Sequence, residues 1–125
     1  MRLSALAALA MLASAPVAAQ PATVEVRMSN FKFEPRSIQL RAGQDYALTL
    51  INESSGGHSF AARDFFAAAS VNAADRALVG QGKIEIPGHQ RRTIRFRAAP
   101  AGTYKVKCTH ALHGTFGMKG EIVVR

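Results

Sequence analysis

The chain has 125 residues, 48% of them hydrophobic, and a formal net charge of +8. That length and apolar content suit one domain with one core. The single cysteine excludes an internal disulfide framework, so the domain must hold together without one.

Residues 1–19 read as a secretory signal: Arg2 supplies a positive start, residues 3–12 an apolar run, and Val17, Ala18 and Ala19 a small-residue cleavage site. The run is too short to cross a hydrocarbon layer of about 30 Å, and no later stretch is apolar for long enough to do so. The expected mature protein is therefore residues 20–125, free in the periplasm of a Gram-negative bacterium and carrying +7 once Arg2 is removed. Export argues against a nucleic-acid partner. The positive charge favours an acidic partner or an anionic surface, reached by electrostatic steering.

The mature chain reads as a succession of short strands. Residues 23–28 alternate, with Val24, Val26 and Met28 on one face, and Ser29 and Asn30 turn the chain into Phe31 and Phe33. Pro35 removes a ladder donor and marks an edge or a kink. Strands are expected again at residues 37–40 and 45–52, followed by a Ser/Gly loop that leads to His58. Gly56 and Gly57 allow the backbone there to pass close to an ion or a facing loop.

Residues 64–79 break the pattern as an alanine-rich helical insertion. Asp64 is placed to cap a helix from Phe65 to Ala69, and residues 73–79 form a second short helical turn. Phe65, Phe66, Leu78 and Val79 are expected to close one end of the fold. Strands resume at residues 83–86 and 91–97, with His89 exposed at a Pro-Gly turn, and end with residues 103–107 and 119–125. Seven or eight strands with little helix describe an all-β, Greek-key β-sandwich.

Between the last two strands lie Cys108, His110, His113 and Met118, all within eleven residues. A thiolate, imidazoles and a weak axial thioether are the ligands that suit copper in both oxidation states. A second imidazole has to come from elsewhere, and His58 is the candidate. His58 together with Cys-x4-His-x4-Met resembles the type 1, or blue, copper site of the cupredoxins. The spacing is similar to the longer ligand loops of azurin-like and rusticyanin-like members. Gly57-His58-Ser59-Phe60 resembles their Gly-His-Asn-aromatic segment, and Phe31-x-Phe33 followed by Pro resembles their amino-terminal half. Two departures stand out: Ser59 where Asn is usual, and the extra imidazole of His110.

The resemblance implies a cupredoxin-like domain binding one copper ion through His58, Cys108, His113 and Met118. It implies a one-electron carrier and not an enzyme, since catalytic metal sites keep an open position. Lys107 and Thr109 flank the cysteine where multicopper oxidases place histidines. The expected partner is a redox protein such as a periplasmic cytochrome with an acidic docking face, steered by Arg91, Arg95 and Arg97 and met by a monomer. His110 sustains a different reading, that of periplasmic copper sequestration, delivery or tolerance. Chain geometry favours His113 over His110 as the loop ligand: four residues after Cys108 leave room to turn back over the thiolate, with Gly114 to help, whereas Cys-x-His leaves almost none.

Overall fold

The computed structural model describes residues 8–14 and 20–125. Residues 8–14 carry no regular secondary structure, with Leu9, Met11 and Leu12 exposed. The rest of the expected signal lies outside the described residues. No helix among the described residues is long and apolar enough to cross a membrane.

Strands β1 (Ala22–Ser29), β2 (Lys32–Glu34), β3 (Ser37–Leu40), β4 (Asp45–Asn52) and β5 (His58–Ala61) precede helix α1 (Arg63–Ala68). After it come β6 (Ser70–Val71), a 3-10 helix (Ala73–Leu78), β7 (Lys83–Ile86), β8 (Arg91–Arg97), β9 (Gly102–Lys107) and β10 (Lys119–Val124). The strands form two five-stranded sheets, ordered β2-β1-β4-β8-β6 and β3-β10-β9-β5-β7. The β1–β4 and β3–β10 pairs are parallel and the others antiparallel. Crossing between sheets in this way is what a Greek-key sandwich requires.

Alternation decides which side chains fill the space between the sheets. Val26 and Met28 of β1, Leu48 and Leu50 of β4, and Ile94 and Phe96 of β8 point inward and are buried, with Leu48 opposite Ile94 and Tyr46 opposite Phe96. Phe60, Ile84, Ile86, Val106 and Ile122 answer them from the second sheet. Each such side chain contributes about 1.5–3 kcal/mol when fully buried.

The insertion differs in detail from its sequence reading. Helix α1 begins at Arg63, so Asp64 lies inside the first turn, where its charge favours the helix dipole, and Ala62 precedes the helix without a side-chain cap. Phe65 and Phe66 do plug one end of the sandwich, edge-on to Phe96 at 5.2 and 6.4 Å. Leu78, expected beside them, is exposed. Strand β6 was not expected; two residues are too few to show a period, and their alanine-rich flanks read as helix.

Candidate metal centre

The opposite end of the sandwich brings together residues fifty positions apart. His58 opens β5 on its inward face, and Cys108 follows β9 directly. Both are buried, and Ser59 N–H points at the Cys108 sulfur at 3.4 Å. Chain entry to His58 is held by Asn52. Its Nδ2 donates to the carbonyls of Gly56 and Ile86, both at 2.9 Å, while its Oδ1 accepts from Ser54 N at 3.0 Å and Ser54 Oγ at 2.6 Å. This buried amide therefore spends all of its hydrogen-bonding capacity on shaping the loop before His58. At Gly57 a Cβ would lie 3.3 Å from Cε1 of His110, a tight approach that the His110 ring would have to yield to, whereas Gly56 has no such neighbour.

The Cys108–Met118 loop folds on itself. His113 N donates to His110 O, Phe116 N to Leu112 O, and Gly117 N to Gly114 O, at 3.0–3.1 Å. Leu112, at φ 66°, and Gly117, at φ 95°, make the turns, so the bend that returns His113 falls before the histidine and not at Gly114. The ends are tied as well: Cys108 N donates to Met118 O at 3.1 Å, and Met118 N to His113 O at 3.0 Å.

Three donor atoms converge as a result. Nδ1 of His58 and Nδ1 of His113 are 3.1 Å apart, and the Cys108 sulfur is 3.8 Å from the first and 3.4 Å from the second. An ion about 2.0 Å from nitrogen and about 2.3 Å from thiolate sulfur, the lengths zinc shows, spreads such donors roughly 3.3–3.7 Å apart. The observed sides bracket that range. Met118 is fully buried, with its backbone bonded to both loop residues. Two imidazoles and a thiolate, with a buried methionine whose backbone is bonded to Cys108 and His113, suit the donor set of a blue-copper centre, and the residues fit that ion.

The surroundings favour the ligand forms. Nε2 of His58 lies 3.0 Å from Oδ1 of Asn30, so the ring carries its proton there and turns the Nδ1 lone pair to the other donors. Burial, helped by the neighbouring His113 and His110, lowers the His58 pKa below its ordinary value and keeps the ring neutral. Ser59, the departure from Asn, still reaches the far loop: its hydroxyl accepts from Thr109 N at 2.8 Å, pairs with Thr109 Oγ1 at 2.8 Å, and lies 3.8 Å from the Cys108 sulfur.

His110 stands apart from the converging donors. Its Nε2 donates to Oε2 of Glu85 at 2.9 Å, and its ring stacks on His113 with centroids 5.4 Å apart. His89 takes a positive φ of 57° at its turn, and its backbone N–H donates to Ser54 O at 3.0 Å. Sequence reasoning missed Asn30, Thr109 and Glu85 as partners of the histidines and Ser59. An Asn preceding Ser-Ser-Gly-Gly could have flagged Asn52, because that residue type shapes turns through its side chain. No local signal marks the reach of Asn30 to His58.

The cupredoxin-like domain model matches residues 2–124. The chain belongs to the cupredoxin-like family. Solved structures similar to it include auracyanin B, with 28% identity, covering 87% of this chain and 93% of that one at a TM-score of 0.62. Auracyanin from Roseiflexus castenholzii has 19% identity, 86% and 99% coverage and a TM-score of 0.62. Auracyanin A, a "blue" copper protein from Chloroflexus aurantiacus, has 20% identity, 85% and 100% coverage and a TM-score of 0.56. The last two show likeness of fold. No curated protein sequence matches the chain. Copper is the ion that this cupredoxin-like fold and its donor set together imply.

Proposed function

We propose that the chain is an exported single-copper protein that accepts one electron and passes it on, with His58, Cys108, His113 and Met118 holding the metal. The observation that carries this reading is the convergence of two Nδ1 atoms and the thiolate sulfur within 3.1–3.8 Å of one another beside a fully buried methionine. Copper bound there would supply a one-electron couple, and no bond is made or broken in its use.

The protein's part is to keep the donors still and dry. Asn30 holds the His58 ring, Ser59 N–H donates to the thiolate, and burial of His58, Cys108 and Met118 excludes water. Groups held in one arrangement reorganise little when charge changes. His113 is half-buried, with the Phe31 ring edge-on to it at 4.9 Å, while Leu112 and Phe116 are 65% and 61% exposed. Such an apolar rim suits brief contact with a redox protein, for which a periplasmic cytochrome is the expected type. Lys107 and Thr109 beside Cys108 offer no histidine route to a second centre, which favours a carrier over an oxidase. Export is inferred from residues 1–19.

The alternative, copper sequestration or delivery, drew its support from His110. That imidazole is engaged by Glu85 and stacked on His113, so the carrier reading is preferred. The test is to load residues 20–125 with copper and record the visible spectrum. An intense thiolate-to-copper band that Cys108→Ser abolishes is expected. Full copper uptake without colour would overturn the carrier reading.

A further inference from the structure

Lys83, Ala61, Lys107 and Lys119 occupy one row across four adjacent strands. Ala61 pairs with Lys83 of β7 and with Lys107 of β9, and Lys107 pairs with Lys119 of β10. Directly paired residues share a face, so the two ammonium side chains of Lys107 and Lys119 stand opposite each other, an arrangement that destabilises a sheet. Among the described residues neither has an ion pair. Protection of a sheet edge does not account for them, because β9 and β10 each have a neighbour on both sides.

The row lies in a cleft of about 760 Å³ to which Arg63 and Lys105 add two more cations and Asp64 a single carboxylate. Glu85 offsets Lys83 at 3.4 Å, and Glu121 lies opposite Lys105, so the uncompensated charge is concentrated at Lys107 and Lys119. The cleft reaches the metal-site loop: Thr109, next to Cys108, lines it, and a Cβ on Gly114 would lie 3.9 Å from Cε of Lys119. The other basic surface, on β8, is partly offset by acid, although the guanidinium groups of Arg91 and Arg95 have no ion pair among the described residues. Arg97 is bonded to Asp45 at 3.1 Å, and the backbone N–H of Arg95 donates to Asp75.

We propose that this lysine cleft, and not the β8 arginines, is where an acidic protein partner docks, inserting a carboxylate-bearing loop or helix end. Its purpose rests on the carrier reading, though its geometry does not. The recessed shape selects a projecting protein segment over a lipid surface, which would touch only the rim. Charge that repels itself within the free protein is relieved when carboxylates enter, so complementarity adds to steering.

The experiment titrates copper-loaded, reduced protein with decaglutamate at low salt and follows backbone amide shifts. Shifts are expected on β7, β5, β9 and β10 around the row. The double variant Lys107→Gln/Lys119→Gln should bind about tenfold more weakly. It should also unfold at higher denaturant concentration, because the opposed charges are gone; a merely solvated face would share that stabilisation but give neither the weaker binding nor the localised shifts. The control Arg91→Gln/Arg95→Gln removes equal charge and should bind as the parent does. Equal weakening in that control, or shifts centred on Leu112 and Phe116, would overturn the proposal. Phosphatidylglycerol vesicles form a second arm, and binding to them that depends on the same two lysines would make the cleft a lipid site instead. Peptide binding is also read on metal-free protein, so failure of the copper reading and failure of the cleft are distinguishable.

Discussion

Oδ1 of Asn30 lies 3.0 Å from Nε2 of His58 and fixes which nitrogen of that ring carries the proton. Residues 28 positions apart thus share the job of presenting one lone pair. Asn30→Ala should leave the domain folded but weaken copper binding about 10–100-fold, the usual effect of removing a partner that orients a metal-bound histidine. Competition with a chelator measures it. Unchanged affinity would mean that packing alone sets the ring.

Ser59 touches the thiolate twice, through its N–H at 3.4 Å and its hydroxyl at 3.8 Å. Ser59→Ala keeps the first and removes the second, along with the hydroxyl's bonds to Thr109. A thiolate with one fewer donor stabilises oxidised copper more, so the reduction potential should fall. A neutral hydrogen bond of about 0.5–1.5 kcal/mol corresponds to tens of millivolts for one electron. Voltammetry on the loaded variant gives the sign, and a rise would contradict the role assigned to the hydroxyl.

His113 and His110 are stacked neighbours with different work. His113→Gly should lose the charge-transfer band and regain it with added imidazole. His110→Ala should keep the band, because Glu85 and not the donor cluster holds that ring. The opposite pattern would assign the metal to the other ring.

The lowered pKa of His58 has a consequence for the metal-free protein, with burial the larger cause and the neighbouring imidazoles the lesser. Above the ordinary imidazole value of 6.5 the ring is neutral in both folded and unfolded chains. Below it the unfolded chain binds a proton that the folded domain resists, so stability falls as pH drops through that window. Urea midpoints from about pH 7.5 to about pH 5 should decline, and less steeply in His58→Gln. Identical slopes would remove His58 as the cause.

Much of this was legible beforehand because it is periodic. The bounds of β3, β4, β7 and β8 coincide with those read from alternation, and the insertion was visible as alanine where valine and isoleucine should be. Cys108, His113 and Met118 stood out because sulfur and imidazole are rare in this chain and closely spaced there, and His58 was the imidazole left to complete the set. What could not be read is what depends on pairing between distant strands. The reach of Asn30 to His58 and the row of lysines exist only once register is known. Turn chemistry misled at one point: Gly114 looked like the bend, but Leu112 adopts the left-handed conformation. Asn52 was readable as a turn-shaping residue, but the hydrogen bond from its side chain to Ile86 on a neighbouring strand leaves no trace in spacing.

Cys108 N–H donates to Met118 O, so the two sulfur-bearing residues extend the β9–β10 hairpin by one bond beyond its last pair, Lys107 and Lys119. The backbone spacing of Cys108 and Met118 is a property of the hairpin. Residues 109–117 bridge a hairpin whose strand pairs do not depend on them, so a loop of another length placed there is expected to leave those pairs unchanged. Each such loop brings its own histidine and its own outward face. The loop histidine and the apolar face around it therefore sit on one short, continuous stretch of gene, apart from the strand pairs beneath them.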